Sequence, residues 1–270
     1  MTRHQEVASL PRLAIWGAVL GEDGRESITG HRTEPRTTVT VRCAIARSTH
    51  SNRFFGLPHT TLDFVARYFD VHPDNPQPRM IGQVVDLLRA GGLVAYPTDS
   101  CFALGCQLDN RSGLERIREI RQLDNRHHFT LVCADFTQLG RFVQLDNVIF
   151  RAVKAATPGQ YTFIVPATRE VPRRMLYPKR RTVGVRIPDH VVAQAILGSL
   201  GEPLVSSTLI MPGDERPLTQ GWEIMERLDH LVDAVVDSGE CGEIPTTVVD
   251  LSNGQAVIVR RGAGDPARFE

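Results

Sequence analysis

The segment Tyr96-Pro97-Thr98-Asp99-Ser100-Cys101-Phe102-Ala103-Leu104-Gly105-Cys106 places three small polar side chains just after a short apolar run, and follows them with a glycine. Such a loop brings hydroxyls and backbone close to a ligand. The same residues also suit a turn in which Thr and Asp satisfy their own backbone, and the residues alone leave both readings open. A second chemically capable group is the run Arg169, Arg173, Arg174, Lys179, Arg180, Arg181 and Arg186, opposed nearby only by Glu170. Planar guanidinium forks match phosphate oxygens. A solvated loop accounts for the same run.

Other chemistries fail on spacing. Gly-x-x-x-x-Gly-Lys-Ser/Thr is absent, and Gly-x-Gly-x-x-Gly is absent as a strand-to-helix turn, so neither nucleotide fingerprint is present. His127-His128 follow Arg126 in a polar stretch without the i, i+4 spacing of helical metal ligands, so no protein-bound metal is expected. Ser206-Ser207-Thr208 lack a Gly-x-Ser-x-Gly elbow and an assigned base, which argues against a covalent hydrolase. The five cysteines are odd in number and lack paired Cys/His spacing, and Cys101, Cys106 and Cys133 read as small buried side chains rather than nucleophiles. Formal net charge is zero, so any basic surface must be local.

The elements that must position these residues are legible from period and punctuation. Residues 1–64 scatter Ser, Thr, Arg and Gly without sustained period, and are expected to be a disordered extension or the product of a mis-called start, with translation beginning near Val65. From His72-Pro73-Asp74-Asn75-Pro76 a helix is expected, its apolar face (Met80, Ile81, Val84, Val85, Leu87, Leu88) stopping at Gly91-Gly92. Strands are expected at 93–96, 130–133, 161–165, 182–187, 204–206, 231–236, 247–251 and 256–260, and helices at 113–121, 147–156, 191–200 and 222–228. Alternating helices and strands with several consecutive strands near the end predict an α/β domain with a mixed sheet. With 41% hydrophobic content the chain can bury a proper core. It has no run of 18 apolar residues and no secretory signal, so a cytoplasmic protein without a membrane partner is expected.

Several segments together resemble the YrdC/YciO family. Pro97-Thr98-Asp99-Ser100-x-Phe102-Ala103-Leu104-Gly105 resembles the opening motif of YrdC-like domains, and Thr157-Pro158-Gly159-Gln160-Tyr161-Thr162-Phe163 their Pro-Gly-x-x-Thr segment. Val185-Arg186-Ile187-Pro188-Asp189-His190 looks like their Val-Arg-x-Pro-x-His strand end, and Pro245-Thr246-Thr247-Val248-Val249-Asp250 with Arg260-x-Gly262 like the closing motifs. His72-Pro73-Asp74-Asn75-Pro76, Arg121-Gln122-Leu123 and Phe129-Thr130-Leu131 bring it nearest the YciO branch.

The resemblance implies a single YrdC-like domain over 65–270, a twisted mixed sheet with flanking helices and a basic concave surface. It implies synthesis of L-threonylcarbamoyladenylate from ATP, L-threonine and bicarbonate for tRNA modification, with magnesium accompanying ATP as substrate. The other implied role is a non-catalytic module that binds tRNA or double-stranded RNA through the same concavity. By position, Arg121, Thr182, Thr208 and Arg260 would contact ATP or its phosphates, and Thr98, Ser100, Arg186 and Thr246 would hold threonine. Arg173, Arg174, Lys179, Arg180 and Arg181 would form the RNA or phosphate surface. Departures fall where active synthases carry Lys-x-Arg and Ser-x-Asn: here stand Arg121-x-Leu123 and Thr208-x-Ile210, and Cys133 replaces a family histidine. Two lost polar contacts would cost about 2 to 6 kcal/mol, a fall of roughly 10- to 10⁴-fold in activity.

Overall fold

The computed structural model describes residues 65–270 apart from 125, 126, 128, 178 and 179. The expectations for residues 1–64, His128 and Lys179 lie outside the described residues. Among the described residues there are ten strands: β1 (Arg67–Asp70), β2 (Val94–Tyr96), β3 (Ala103–Gln107), β4 (Thr130–Val132), β5 (Tyr161–Pro166), β6 (Thr182–Arg186), β7 (Leu204–Thr208), β8 (Ala234–Asp237), β9 (Thr247–Asp250) and β10 (Val257–Arg260). The α-helices are α1 (Pro78–Arg89), α2 (Arg111–Arg121), α3 (Phe136–Phe142), α4 (Asn147–Ala156), α5 (Val191–Leu200) and α6 (Gly221–Leu228). All ten strands join one mixed sheet in the order β1-β8-β2-β3-β7-β4-β6-β5-β9-β10.

The helices follow from local chemistry. α1 buries Ile81, Val84, Val85 and Leu88, one stripe at helical spacing, and begins on Pro78, whose missing N–H costs nothing in the first turn. It ends where Gly91 takes φ 87°, a conformation glycine enters without a Cβ penalty. Asn110 caps α2 by accepting from Gly113 N, and Asp146 caps α4 by accepting from Val148 N and Ile149 N.

Strand alternation sorts the residues between two cores. Ala95, Leu104, Leu131, Phe163, Val185, Val205 and Val249 point to one face and join α2, α3, α4 and α6 in the larger cluster. Val94, Tyr96, Ala103, Val132 and Leu204 point to the other, under α1 and α5. On this second face Thr130, Thr162, Ile164, Gly184 and Val248 belong to neither cluster. They line a cavity instead.

Three differences from the sequence expectations have physical causes. The stretch 103–107, read as part of a ligand loop, is strand β3, paired antiparallel with both β2 and β7. Its small residues fit because Gly105 makes room for the Tyr96 ring. Strand β8 begins at Ala234 rather than Leu231, since Leu231 N and Val232 N are held by Leu228 O at the end of α6. The short β1 and α3 carry too few residues for a period to show. A Cβ on Gly105 would stand 2.7 Å from Tyr96 Cε1. We therefore expect Gly105→Ala to cost about 1 to 3 kcal/mol, read as a lower urea midpoint with unchanged m-value; a midpoint matching the wild type would refute the packing account.

Candidate functional site

The cavity on the second face encloses about 460 Å³ and takes its walls from the ends of several strands. Three guanidiniums reach it from separate parts of the chain: Arg121 from the last turn of α2, Arg186 from the end of β6 and Arg260 from the end of β10. Their partners differ. Arg186 forms an ion pair with Asp99, and both side chains are more than nine-tenths buried, at 8% and 9% exposure. Arg121 Nη1 donates to Ser207 Oγ at 3.0 Å and to the Thr208 carbonyl, both neutral acceptors. Arg260 donates from Nε and Nη2 to the Thr246 carbonyl (3.1 and 2.8 Å) and from Nη2 to Thr246 Oγ1 at 3.2 Å.

Burial sets the electrostatics. Desolvation lowers the Arg121 guanidinium to about 10, and the positive charge of Arg260 adds to the effect. Burial lowers Arg260 likewise, with Arg186 contributing. Partly desolvated cations facing one another favour an anion between them, because its charge replaces lost hydration. One guanidinium Nε on Arg121, one on Arg186 and Asp99 Oδ2 are buried without a hydrogen-bond partner. Cys101, also in the wall, has its thiol pushed up by burial against the pull of Arg186 and Arg260, so it stays protonated.

The Pro97-to-Phe102 loop is closed by its own side chains. Thr98 Oγ1 donates to the Cys101 carbonyl at 2.6 Å and receives Ser100 N and Cys101 N, each at 3.3 Å. Gln160 Nε2 donates to the Asp99 carbonyl, tying the loop to the start of β5. Thr98 therefore serves the turn, while Asp99 points at the cavity's Arg186.

Of the residues expected to contact ATP, Arg121, Thr208 and Arg260 line the cavity; Thr182 lies at the other end of β6 and is not in its wall. Of those expected to hold threonine, Arg186 and Thr246 line it, whereas Thr98 and Ser100 are buried behind the wall. The basic run divides. Arg174 donates to the Leu108 carbonyl at 2.9 Å, Arg173 shares its 3-10 turn, Arg180 pairs with Asp250 at 3.6 Å, and Arg181 is exposed with φ 51°. Of the two positions where family polar residues were expected, Leu123 packs against the larger core and only Ile210 lines the cavity.

Residues given no binding role from the sequence are Thr162, Ser206, Ser207, Asp124 and His127, which line the wall, and Asp99, which pairs with Arg186. Asp99 was visible as the carboxylate of the first motif, but its partner 87 residues away was not. Thr162 was signalled by its place between Tyr161 and Phe163, the face opposite the core.

His190 stands at the edge of this network as the cap of α5, its Nδ1 accepting from Ala193 N at 3.3 Å. Burial lowers its pKa from the ordinary 6.5, partly opposed by Asp99. The folded state thus binds its proton less readily than the unfolded chain. Stability from this group is full above about pH 6.5 and declines as pH falls through the window below it. His190→Asn, which caps without titrating, should flatten that part of a melting-temperature-versus-pH curve; an unchanged slope would show that His190 does not cause it. Asp99→Ala should cost about 3 to 5 kcal/mol, because it strands a buried guanidinium. A loss under about 1 kcal/mol in chemical denaturation would mean Arg186 finds solvent or another partner.

A family model described as "Telomere recombination" and named for Sua5, YciO and YrdC matches residues 86–262. The uncharacterized YciO protein of Escherichia coli K12 is 47% identical over 205 residues, 76% of this chain and 100% of that protein. An uncharacterized protein of Haemophilus influenzae is 44% identical over 206 residues, again 76% of this chain and 100% of the relative. The crystal structure of E. coli YciO superposes with a TM-score of 0.74 at 47% identity, covering 76% of this chain and 100% of that one. P. abyssi Sua5, solved in complex with L-threonine, superposes with a TM-score of 0.67 at 24% identity, covering 72% of this chain and 57% of that one; it shares the fold.

Proposed function

The chain belongs to the Sua5, YciO and YrdC family, and on that premise we propose that its arginine-lined cavity binds ATP, L-threonine and bicarbonate and forms L-threonylcarbamoyladenylate with release of diphosphate. The observation that carries this reading is the convergence of Arg121, Arg186 and Arg260 on one small cavity, with Arg121 donating to the neutral oxygens of Ser207 and Thr208. The P. abyssi relative complexed with L-threonine makes an amino acid a fitting co-substrate.

The step is a displacement at phosphorus. The threonine amine and bicarbonate first join through a new C–N bond with loss of water. An oxygen of the resulting N-carboxy group then forms a bond to the α-phosphorus, and the bond from that phosphorus to the bridging oxygen breaks, so that diphosphate leaves with its electron pair and its magnesium. Negative charge gathers on the phosphoryl oxygens, where preorganised donors in a dry site stabilise it most. Arg121 and Arg260 are suited to those oxygens. Arg186, fixed by Asp99, is suited to the amino-acid carboxylate. The adenylate then supplies tRNA modification.

The RNA-binding reading has less support. Binding along a phosphate backbone calls for exposed cations on one surface; Arg173, Arg174, Arg180 and Arg181 are exposed, but the arginines that converge on the cavity are buried or partly buried and held by local partners. With Leu123 partly buried against the larger core, Ile210 is the one of the two that withholds a polar contact from the cavity. That limits the expected shortfall in rate to about 5- to 150-fold, one contact at 1 to 3 kcal/mol.

Purified protein given ATP and magnesium should release diphosphate only when L-threonine and bicarbonate are both present. Arg121→Ala should slow this by about 100-fold or more, and Ile210→Asn should speed it. No release from folded wild type or Ile210→Asn would end the synthase reading; tRNA binding that weakens steeply with salt would then favour the RNA module.

A further inference from the structure

The cavity floor holds one hydroxyl whose hydrogen bonds are assigned by its neighbours. Ser206 is only 4% exposed and lines the cavity from β7. Its Oγ lies 3.0 Å from the Leu104 carbonyl oxygen and 2.9 Å from Tyr96 Oη. A carbonyl oxygen can only accept, so the single Ser206 proton goes to Leu104. Tyr96 must then be the donor in its own contact. Burial pushes the Tyr96 hydroxyl up to about 12, so it keeps the proton that this role needs. Of the two lone pairs on Ser206 Oγ, Tyr96 occupies one, and one remains.

The sheet register sets glycines close to Ser206. Ser206 stands opposite Gly105 on one side and Thr130 on the other, and Thr130 stands opposite Gly184. Gly105 admits the Tyr96 ring on the same face of the sheet, beside Ser206. Gly184, itself in the wall, adds no side chain above it. The other hydroxyls nearby are arranged differently. Ser207 Oγ accepts from Arg121 and retains its proton, and Thr246 Oγ1 accepts from Arg260 while sharing a 2.8 Å hydrogen bond with Thr162. Ser206 therefore presents an acceptor close to the guanidinium donors, while the carboxylate of Asp124 lines another part of the same wall.

We infer that Ser206 determines specificity as a fixed acceptor, selecting ligands that carry an N–H or O–H donor next to the anionic group held by the arginines. Tyr96 is the positioning residue that keeps Ser206 in this role. A ligand made only of acceptors or methyl groups leaves a dry lone pair unmatched, and loses about tenfold in affinity. The inference rests on the cavity being the ligand site, as proposed above, and not on adenylate chemistry.

Three singly charged sulfonates test it on the full chain by titration calorimetry or NMR. Sulfamate carries N–H, hydroxymethanesulfonate carries O–H, and methanesulfonate carries neither. Wild type should bind one or both donor-bearing anions about tenfold more tightly than methanesulfonate, the better of the two identifying the donor. Ser206→Ala should erase the preference, and Tyr96→Phe, which keeps Ser206 but frees its hydroxyl to turn, should narrow it. Equal binding of all three by wild type, no binding of any, or a preference that survives Ser206→Ala overturns the inference. A chain that shows the preference yet releases no diphosphate would fail the synthase reading alone.

Discussion

The buried pair between Asp99 and Arg186 is the interaction around which the site is arranged. A guanidinium 8% exposed must meet a carboxylate or pay heavily in lost hydration, so the end of β6 and the loop between β2 and β3 are obliged to come together. That obligation explains why the loop is internally rigid. Thr98 spends its hydroxyl on Cys101 and Ser100, and Gln160 holds the Asp99 backbone from β5, leaving the carboxylate one place to point. The cavity is thus framed by strands far apart in sequence and locked by one charge pair.

The rest of its character comes from partial coverage of the sheet. Helices α1 and α5 shelter one part of the second face, and there the inward residues are Val, Ala and Tyr. Beyond them the same alternation places Thr130, Gly184 and Thr162 on a face with no helix packed on it. Small and polar residues at positions that would otherwise fill a core leave a hollow. The arginines at its margin are desolvated enough to be lowered in pKa while remaining cations at neutral pH, the state in which a fixed positive field acts strongly on an entering anion.

What could be read in advance follows from the range of each interaction. Helices α4 and α5 occupy the residues that period and punctuation predict, because their signals lie within a few turns of each other. Strand β3 was hidden, since Ala103-Leu104-Gly105-Cys106 has little β-branched character and owes its state to pairing with β2 and β7 on either side. The arginines that meet in the cavity could be named from motifs, but their partners could not. Charge density in the 169–186 run was plain, yet a chain reversing through a 3-10 turn and a left-handed Arg181 distributes that charge among different neighbours. Leu123 and Ile210 looked equivalent as departures from a polar pattern; only packing separates a residue facing the core from one facing the hollow.

The strand order carries a consequence for the life of the molecule before it is complete. β7 lies between β3 and β4, although it begins 72 positions after the end of β4 and 97 after the end of β3. During synthesis, the β2–β3 hairpin and the β4-β6-β5 group emerge as two separate fragments, each with a raw hydrogen-bonding edge. Both wait for residues 204–208, which close the two edges at once and deliver Ser206, Ser207 and Thr208 to the hollow. Long-range pairing of this kind is slow and leaves edges open to other chains. A chain halted before residue 204 would expose a sticky, ligandless half-product, whereas one extended through β7 would close the sheet centre and leave only the β9 and β10 side of the hollow, with Thr246 and Arg260, to be added.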